Sequence, residues 1–245
     1  MVTKINSMAK HSRLSTQALL QLIYEAMSAG ETDFDIAACG QHDLGGPLWQ
    51  ADGKPLTFKI TNPGQRVGSM CMENTTIIVE GSAPADVGWL NAGGTIVVKG
   101  DGGDTTAHCA AAGNIYVGGR VGTRSGSLMK FDPKYEPPQL WVLKNTGSFS
   151  FEFMGGGIAV VCGWDSKDFE SVLGDRSCMG MVGGVVYVRG SIKGVSTHDV
   201  RIHALEKSDI DFLLKEMPVF LDHVERSKLL KELTVWTEWQ KIVPL

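Results

Sequence analysis

Three stretches decide the fold: Asn74–Gly81 reads NTTIIVEG, Gly93–Gly100 reads GGTIVVKG and Ala112–Gly119 reads AGNIYVGG. They align without gaps, each beginning 19 residues after the one before. Ile77, Ile96 and Ile115 share one position, Val79, Val98 and Val117 fall two residues on, and Gly81, Gly100 and Gly119 two beyond. Gly156–Gly163 (GGIAVVCG) and Gly183–Gly190 (GGVVYVRG) repeat the octet, the interval widened by insertions at Asp132–Pro138 and Trp164–Gly174. A short alternating strand cannot bury its inward face alone, but it can beneath a copy of itself. A helical repeat needs about 10–12 residues of 3.6 periodicity per element, and β-branched residues beside paired glycines oppose that. Residues 56–190 therefore read as a single-stranded, right-handed parallel β-helix of about six or seven turns. Ile and Val ladders form its core, and Gly81, Gly100, Gly119, Gly163 and Gly190 are expected to be positive-φ corners.

Around the repeat the chain is all-β with helical ends. Ser15 caps a helix whose Leu19, Leu22, Ile23, Ala26 and Met27 fall on one face, and Gly30 stops it. Gly45-Gly46-Pro47 and Asp52-Gly53 mark turns, and Leu56–Ile60 alternates as a strand. After Gly190, Lys207–Lys231 is charged and helix-like, with Ser208 as N-cap and Pro218 restarting or kinking the segment. This tail is expected to cap the last open rung. The organisation is thus residues 1–55, an N-terminal helix with lead-in strands; 56–190, the β-helix; and 191–245, a C-terminal helical cap and tail. Trp236, Trp239, Ile242 and Val243 either fold back onto that cap or dock on a neighbour.

Composition narrows the function. The 245 residues carry 23 Lys and Arg against 27 Asp and Glu, a net charge of −4, which is no electrostatic footprint for nucleic acid. Hydrophobic residues make up 43%, enough for a sizeable core. The five cysteines are dispersed and never spaced CxxC, so neither a disulfide framework nor a metal-ligand run is written, and a reducing, cytoplasmic setting is expected. No signal peptide and no apolar run near about 18 residues is present, so no membrane association is expected.

Few residues invite chemistry. Gly118, Gly119, Gly122 and Gly126 satisfy no phosphate-loop pattern and read as β-helix corners. Asp101 and Asp104 form one copy of a glycine-aspartate repeat, too few oxygens for calcium. His108-Cys109 and Cys39-Gly40-Gln41-His42 suggest a nucleophile and a metal site, but neither has a second matching cluster, and Cys109 and Cys162 sit at repeat positions suited to packing. Arg120, Arg124 and Lys130 fall where the 19-residue register breaks. Irregular rungs carry binding loops, so this trio, the insertion Asp132–Pro138, and Trp236 and Trp239 are the candidate partner contacts; the competing reading of the trio is a solvated charged edge. No catalytic, cofactor-binding or metal residue is assigned.

Extended upstream, the octet reads as Met or a small residue, a glycine pair, β-branched alternation and glycine, as in Met154-Gly155-Gly156-Gly157-Ile158 and Met181-Val182-Gly183-Gly184-Val185. This resembles the glycine-repeat β-helix domain at the C-terminal end of the glutamate synthase large subunit, in the version found as a separate polypeptide. The resemblance implies a non-catalytic scaffold that braces a glutaminase-type amidotransferase subunit and a synthase-type subunit holding FMN and iron–sulfur clusters, with no cofactor in this chain. A class II glutaminase needs an N-terminal cysteine after processing, whereas the chain begins Met1-Val2-Thr3, so that activity is expected on another polypeptide. Similar glycine repeats occur in formylmethanofuran dehydrogenase and its formyltransferase/hydrolase relative. An equivalent subunit of such a complex, or of an N-methylglutamate-forming one, is the alternative. A free-standing polysaccharide-cleaving β-helix is disfavoured, since no carboxylate cluster for a general base is written.

Overall fold

The computed structural model describes residues 1–9, 12–46, 48, 53–166 and 169–245. Pro47 and Asp52 of the two expected turns, and Lys167 and Asp168 of the second insertion, lie outside them. The elements run β1 (Thr3–Asn6), β2 (Met8–Ala9), β3 (Ser12–Arg13), α1 (Thr16–Ser28), β4 (Asp33–Ala37), β5 (Leu56–Thr61), β6 (Thr75–Val79), β7 (Ala92–Val98), β8 (Ala112–Val117), β9 (Gln139–Val142), β10 (Gly155–Val161), β11 (Gly183–Arg189), β12 (Val200–Ala204), α2 (Lys207–His223), α3 (Leu230–Leu233) and β13 (Trp239–Pro244).

The octets stack in the register that their alignment predicts. Ile77 pairs with Ile96 and Ile96 with Ile115, and the column continues through Leu140, Ala159 and Val186. Two residues on, Val79, Val98, Val117, Val142, Val161 and Val188 form a second column; every member of both is buried. The strands from β5 to β11 are parallel and enclose the coil turn by turn. β9 is a rung that the octet search passes over, because its Gln139-Leu140-Trp141-Val142 lacks the leading glycine pair. Pairing also runs upstream of residue 56: β4 lies parallel to β5 and β1 parallel to β4, with Phe34 stacked on Phe58 at 5.0 Å between ring centroids. Ser15 caps α1 as expected, its hydroxyl accepting from Ala18 N, and Leu19 and Ile23 bury the helix face against the coil.

The corner glycines divide into two kinds. Gly81, Gly163 and Gly190 have positive φ, at 149°, 56° and 110°; Gly100 and Gly119 do not, which corrects the expectation for those two. Their requirement is room. A Cβ at Gly100 would lie 2.8 Å from Gly81 C and 2.8 Å from Ser82 N, and one at Gly119 would run into Asp101 Oδ1 and Gly100 O of the rung below.

Most left-handed corners are built from other residues. Each turn carries three positive-φ residues at alternate positions: Asp86, Gly88 and Leu90; Thr105, Ala107 and Cys109; Arg124, Gly126 and Leu128; Phe149, Phe151 and Phe153. Their N–H groups point alternately to the next and previous rungs, as in Asp86 N to Asp104 O at 2.9 Å, Gly88 N to Val67 O at 2.9 Å and Leu90 N to His108 O at 3.0 Å. These inter-rung bonds tie alternate backbone N–H groups of this irregular-looking wall to its neighbours. Thr106, Ser125 and Ser150 are buried between the first two of these positions and donate to the carbonyls of Gly103, Gly122 and Gly147 in their own rungs.

The C-terminal segment closes the last rung with strands rather than helices: β13 pairs antiparallel with β11, and β12 with β13, covering the open edge. α2 instead covers the outward face of the ladder, where Val97, Tyr116, Trp141, Val160 and Tyr187 would otherwise be bare; Phe212 and Phe220 pack on Trp141, and Phe220 and His223 on Tyr116. Its N-cap is Glu206 rather than Ser208, because Asp209 completes a capping box with Glu206. The same Asp209 accepts from Tyr187 Oη at 2.9 Å and pairs with Lys241 at 2.8 Å, pinning the start of the helix to β11 and β13.

Candidate interaction surface

The outward wall offers ladders of side chains rather than a pocket of converging reactive groups. The first of the three positive-φ positions forms a charged column. Arg66 pairs with Asp43 at 2.7 Å, and Thr105 donates to Asp86 at 2.5 Å. Arg124 pairs with Glu152 at 2.7 Å and lies over the Phe149 ring at 5.1 Å, with Arg176 over the same ring at 5.6 Å. The Asp43 carboxylate, by hydrogen bond and charge, holds the Arg66 pKa above its ordinary value.

The sequence-derived trio does not converge. Arg120 sits 3.6 Å from Asp101 beside a groove of ≈460 Å³ between the coil's polar corners. Arg124 belongs to the charged column, and Lys130 is exposed two residues beyond Leu128. Nor are the two tryptophans alike. Trp239 is buried, its indole N–H donating to Leu233 O at 2.9 Å, and Trp236 is half-buried against it. Of the two outcomes posed for the aromatic tail, folding back is the one observed. Arg189, buried under this tail, reaches Glu238 at 2.7 Å and lines a groove of ≈400 Å³ with Gly163, Gly190 and Ser166.

The reactive side chains serve packing. Burial pushes the Cys71 and Cys178 thiols up to about 12 and raises Cys162, whose shift Arg189 offsets in part; burial also raises Cys109, against the nearby charge of Lys130. All five thiols are free. His108 Nδ1 is buried without a hydrogen-bond partner, and burial lowers its pKa. In the Cys39–His42 stretch, His42 Nδ1 accepts from Gln65 N at 3.0 Å, while Gln41 is buried and ties Cys39 N to Leu14 O. Among the described residues no three His, Cys, Asp or Glu side chains gather as a metal site, and no helix is long and apolar enough to cross a membrane.

Beside the first insertion, which the sequence singles out, lies a groove of ≈550 Å³ whose other wall the sequence does not announce. Met72 and Tyr135 flank it, Ala92 and Gly93 contribute small surfaces, and Glu73 and Glu136 are its carboxylates together with Asp132. The exposed Tyr135 and the break in register at Asp132–Pro138 were its only signals.

Comparison with known proteins follows the same residues. The large chain of NADPH glutamate synthase from Bacillus subtilis (strain 168) is 25% identical over 254 residues, covering 93% of this chain and 15% of that protein. Ferredoxin-dependent glutamate synthase 1, chloroplastic/mitochondrial, of Arabidopsis thaliana is 26% identical over 234 residues, covering 86% and 13%. The chain therefore corresponds to a small part of each relative's length. A family model described as the GXGXG motif matches residues 52–245, the span that carries the stacked octets and the tail covering them. The chain, a parallel β-solenoid, belongs to the GXGXG motif family and is similar over most of its length to part of these two glutamate synthases.

Proposed function

We propose that this chain is a non-catalytic bracing component of a glutamate-synthase-type oxidoreductase assembly. It holds a glutaminase-type amidotransferase polypeptide against a synthase polypeptide bearing FMN and iron–sulfur clusters, and it carries no cofactor itself. One observation supports this most: the glycines of the motif are consumed by the coil. At Gly100, Gly119 and Gly183 the space a side chain would take is filled by the backbone or side chain of the preceding rung, so the motif builds a rigid rod instead of cradling a ligand. A rod whose inner columns are satisfied internally can offer the outer surface that α2 leaves uncovered to neighbours. Five free thiols, three of them buried, fit a reducing cytoplasmic setting.

The test is to purify the tagged full chain from its own source and identify what accompanies it stoichiometrically. The expected result is a glutaminase-type and a flavin-bearing polypeptide, glutamine-dependent glutamate formation by the assembly, and no flavin absorbance once the chain is separated. Stoichiometric flavin or iron on the separated chain, or an assembly lacking both polypeptides, overturns the reading.

A further inference from the structure

We propose that the outward corner carrying Met70, Leu90, Leu128 and Phe153, with Met72 and Val182 beside it, is the seat of a partner polypeptide that presents an apolar face with a basic rim. This inference rests on the assembly reading above and adds the place and chemistry of the contact.

The corner is defined by register. Met70 N donates to Trp89 O, Leu90 N to His108 O, Leu128 N to Glu152 O and Phe153 N to Met179 O, so the four residues occupy one repeat position on successive or nearby rungs. The next position along each rung points inward and is buried, as Cys71, Met129, Met154 and Met181 show; the one after that, holding Met72 and Val182, faces out again. Phe153 is 54% exposed and Val182 78%. At about 4.8 Å per rung the ridge extends roughly 24 Å over the coil. Met70, Met72 and Leu128 are also exposed, with Leu90 and the equivalent Cys109 half-buried between them, and a run of apolar side chains of this kind marks an interaction site.

The backbone argues the same way. Met70, Leu90, Leu128 and Phe153 have φ of 54°, 58°, 57° and 53°, a region that disfavours bulky side chains and suits glycine or asparagine. The fold accepts glycine here: Gly180 takes this position on a later rung at φ 65°. A large apolar side chain held in this conformation and left in water returns little to the isolated chain, so its return must come from a covering surface. The fold does not impose apolar character at the corner either. Four residues earlier in the same rungs, equally left-handed positions hold Arg66, Asp86 and Arg124.

Charge selects the occupant. The groove running into this corner between Met72 and Tyr135 bears Glu73, Asp132 and Glu136, and no lysine or arginine lines it; Lys130, exposed on the ridge two residues beyond Leu128, stands outside that lining. Two copies of the chain placed face to face would bring carboxylates together, whereas a partner with lysine or arginine around an apolar centre complements the rim. In the two glutamate synthases the matched region is only 13–15% of the protein, so there such a covering surface is available within one chain.

The test compares Leu128→Asn with Phe153→Asn, made together, against Leu214→Asn with Val219→Asn on the exposed side of α2. Asparagine tolerates the left-handed backbone, which separates loss of contact from loss of fold. The probe is the glutamate-synthase-like polypeptide that copurifies with the unsubstituted full chain. The corner pair should weaken its binding by at least about ten-fold while the isolated chain melts at an unchanged or higher temperature, and the α2 pair should leave both as they were. Undiminished binding by the corner pair, or a marked fall in its melting temperature, overturns the assignment of the corner while leaving the assembly reading intact. A homodimer of the chain that the corner pair dissolves overturns the stated occupant in favour of a second copy. If the unsubstituted chain copurifies with no such polypeptide, the assembly reading falls and takes this inference with it.

Discussion

Replacing Gly88 by alanine places a methyl group in space that Ile115 fills. A Cβ there comes 2.5 Å from Ile115 Cδ1 and 3.1 Å from Ile96 Cδ1. The backbone is not the obstacle, since Ala107, the equivalent residue of the next rung, holds its methyl at φ 62° where Gly88 has 63°. The left-handed conformation costs alanine about 1–2 kcal/mol, overpacking about 1–3 kcal/mol, and the stiffer unfolded chain returns up to about 1 kcal/mol. We expect Gly88→Ala to destabilise by about 2–4 kcal/mol, or on the order of 5–15 °C in melting temperature. Ile115→Val deletes the clashing Cδ1 and alone costs about 0.5–1.5 kcal/mol through the cavity it leaves. Together the new methyl fills that cavity, so the pair should cost about 1–2 kcal/mol less than the two separately. Gly100→Ala is the contrast: its Cβ meets Gly81 C and Ser82 N at 2.8 Å as well as the Ser82 hydroxyl, so Ser82→Ala should bring no rescue. Urea unfolding of both four-member cycles, followed by circular dichroism, reads the result. Additivity of Gly88→Ala and Ile115→Val, or rescue of Gly100→Ala by Ser82→Ala, would refute this account of which glycines face side chains and which face backbone.

Other expectations concern the tail and the titratable groups. Arg189→Met removes the pair with Glu238 and should destabilise by about 1–3 kcal/mol, with faster amide exchange over β13 than over α1; unchanged protection of β13 would show that the tail is held by its tryptophans alone. Burial lowers the His108 pKa, so between its folded value and the ordinary 6.5 the unfolded chain binds more protons and stability rises with pH. His108→Gln should therefore flatten the stability profile just below pH 6.5, and an unaltered slope there argues against it. In native protein, maleimide should modify Cys39 and Cys109 well before Cys71, Cys162 and Cys178, as peptide mass spectrometry would resolve; early labelling of Cys162 would contradict its burial beneath α2.

The strand wall was legible because two constraints coincide there. A period of two along the strand and of 19 along the chain leave only one way to superpose Ile77, Ile96 and Ile115. Later rungs kept the register because insertions fell between strands, and β9 is hidden because Pro137 and Pro138 stand in place of the glycine pair and Leu140 in place of a β-branched residue. The opposite wall was illegible for a physical reason. Its left-handed corners are occupied by Thr105, Arg124 and Phe149, residues that do not favour this region, and inter-rung hydrogen bonds hold them there. The tail was legible as cover for the last rung, while the seat of α2 on Tyr116, Trp141 and Tyr187 was not, because alternation along a strand does not say what lies on its outward side.

For the interaction surface the sequence singles out charge, and the structure adds the answer that each charge finds within the coil. Irregular rungs and exposed charge suggested Arg120, Arg124 and Lys130. In a stacked coil, however, a charged side chain finds its opposite one rung away, as Arg124 finds Glu152 and Arg66 finds Asp43, so charge on such a surface is largely answered within the chain. Apolar side chains have no such outlet. Phe153 lies over Gly180 of the following rung, yet half of it faces water, because a one-residue-wide column cannot bury itself. On a solenoid the residues that call for a partner are therefore those whose side chain the neighbouring rung cannot satisfy. The left-handed φ of Met70, Leu90, Leu128 and Phe153 sharpens the point, since the coil would have been served at lower cost by glycine.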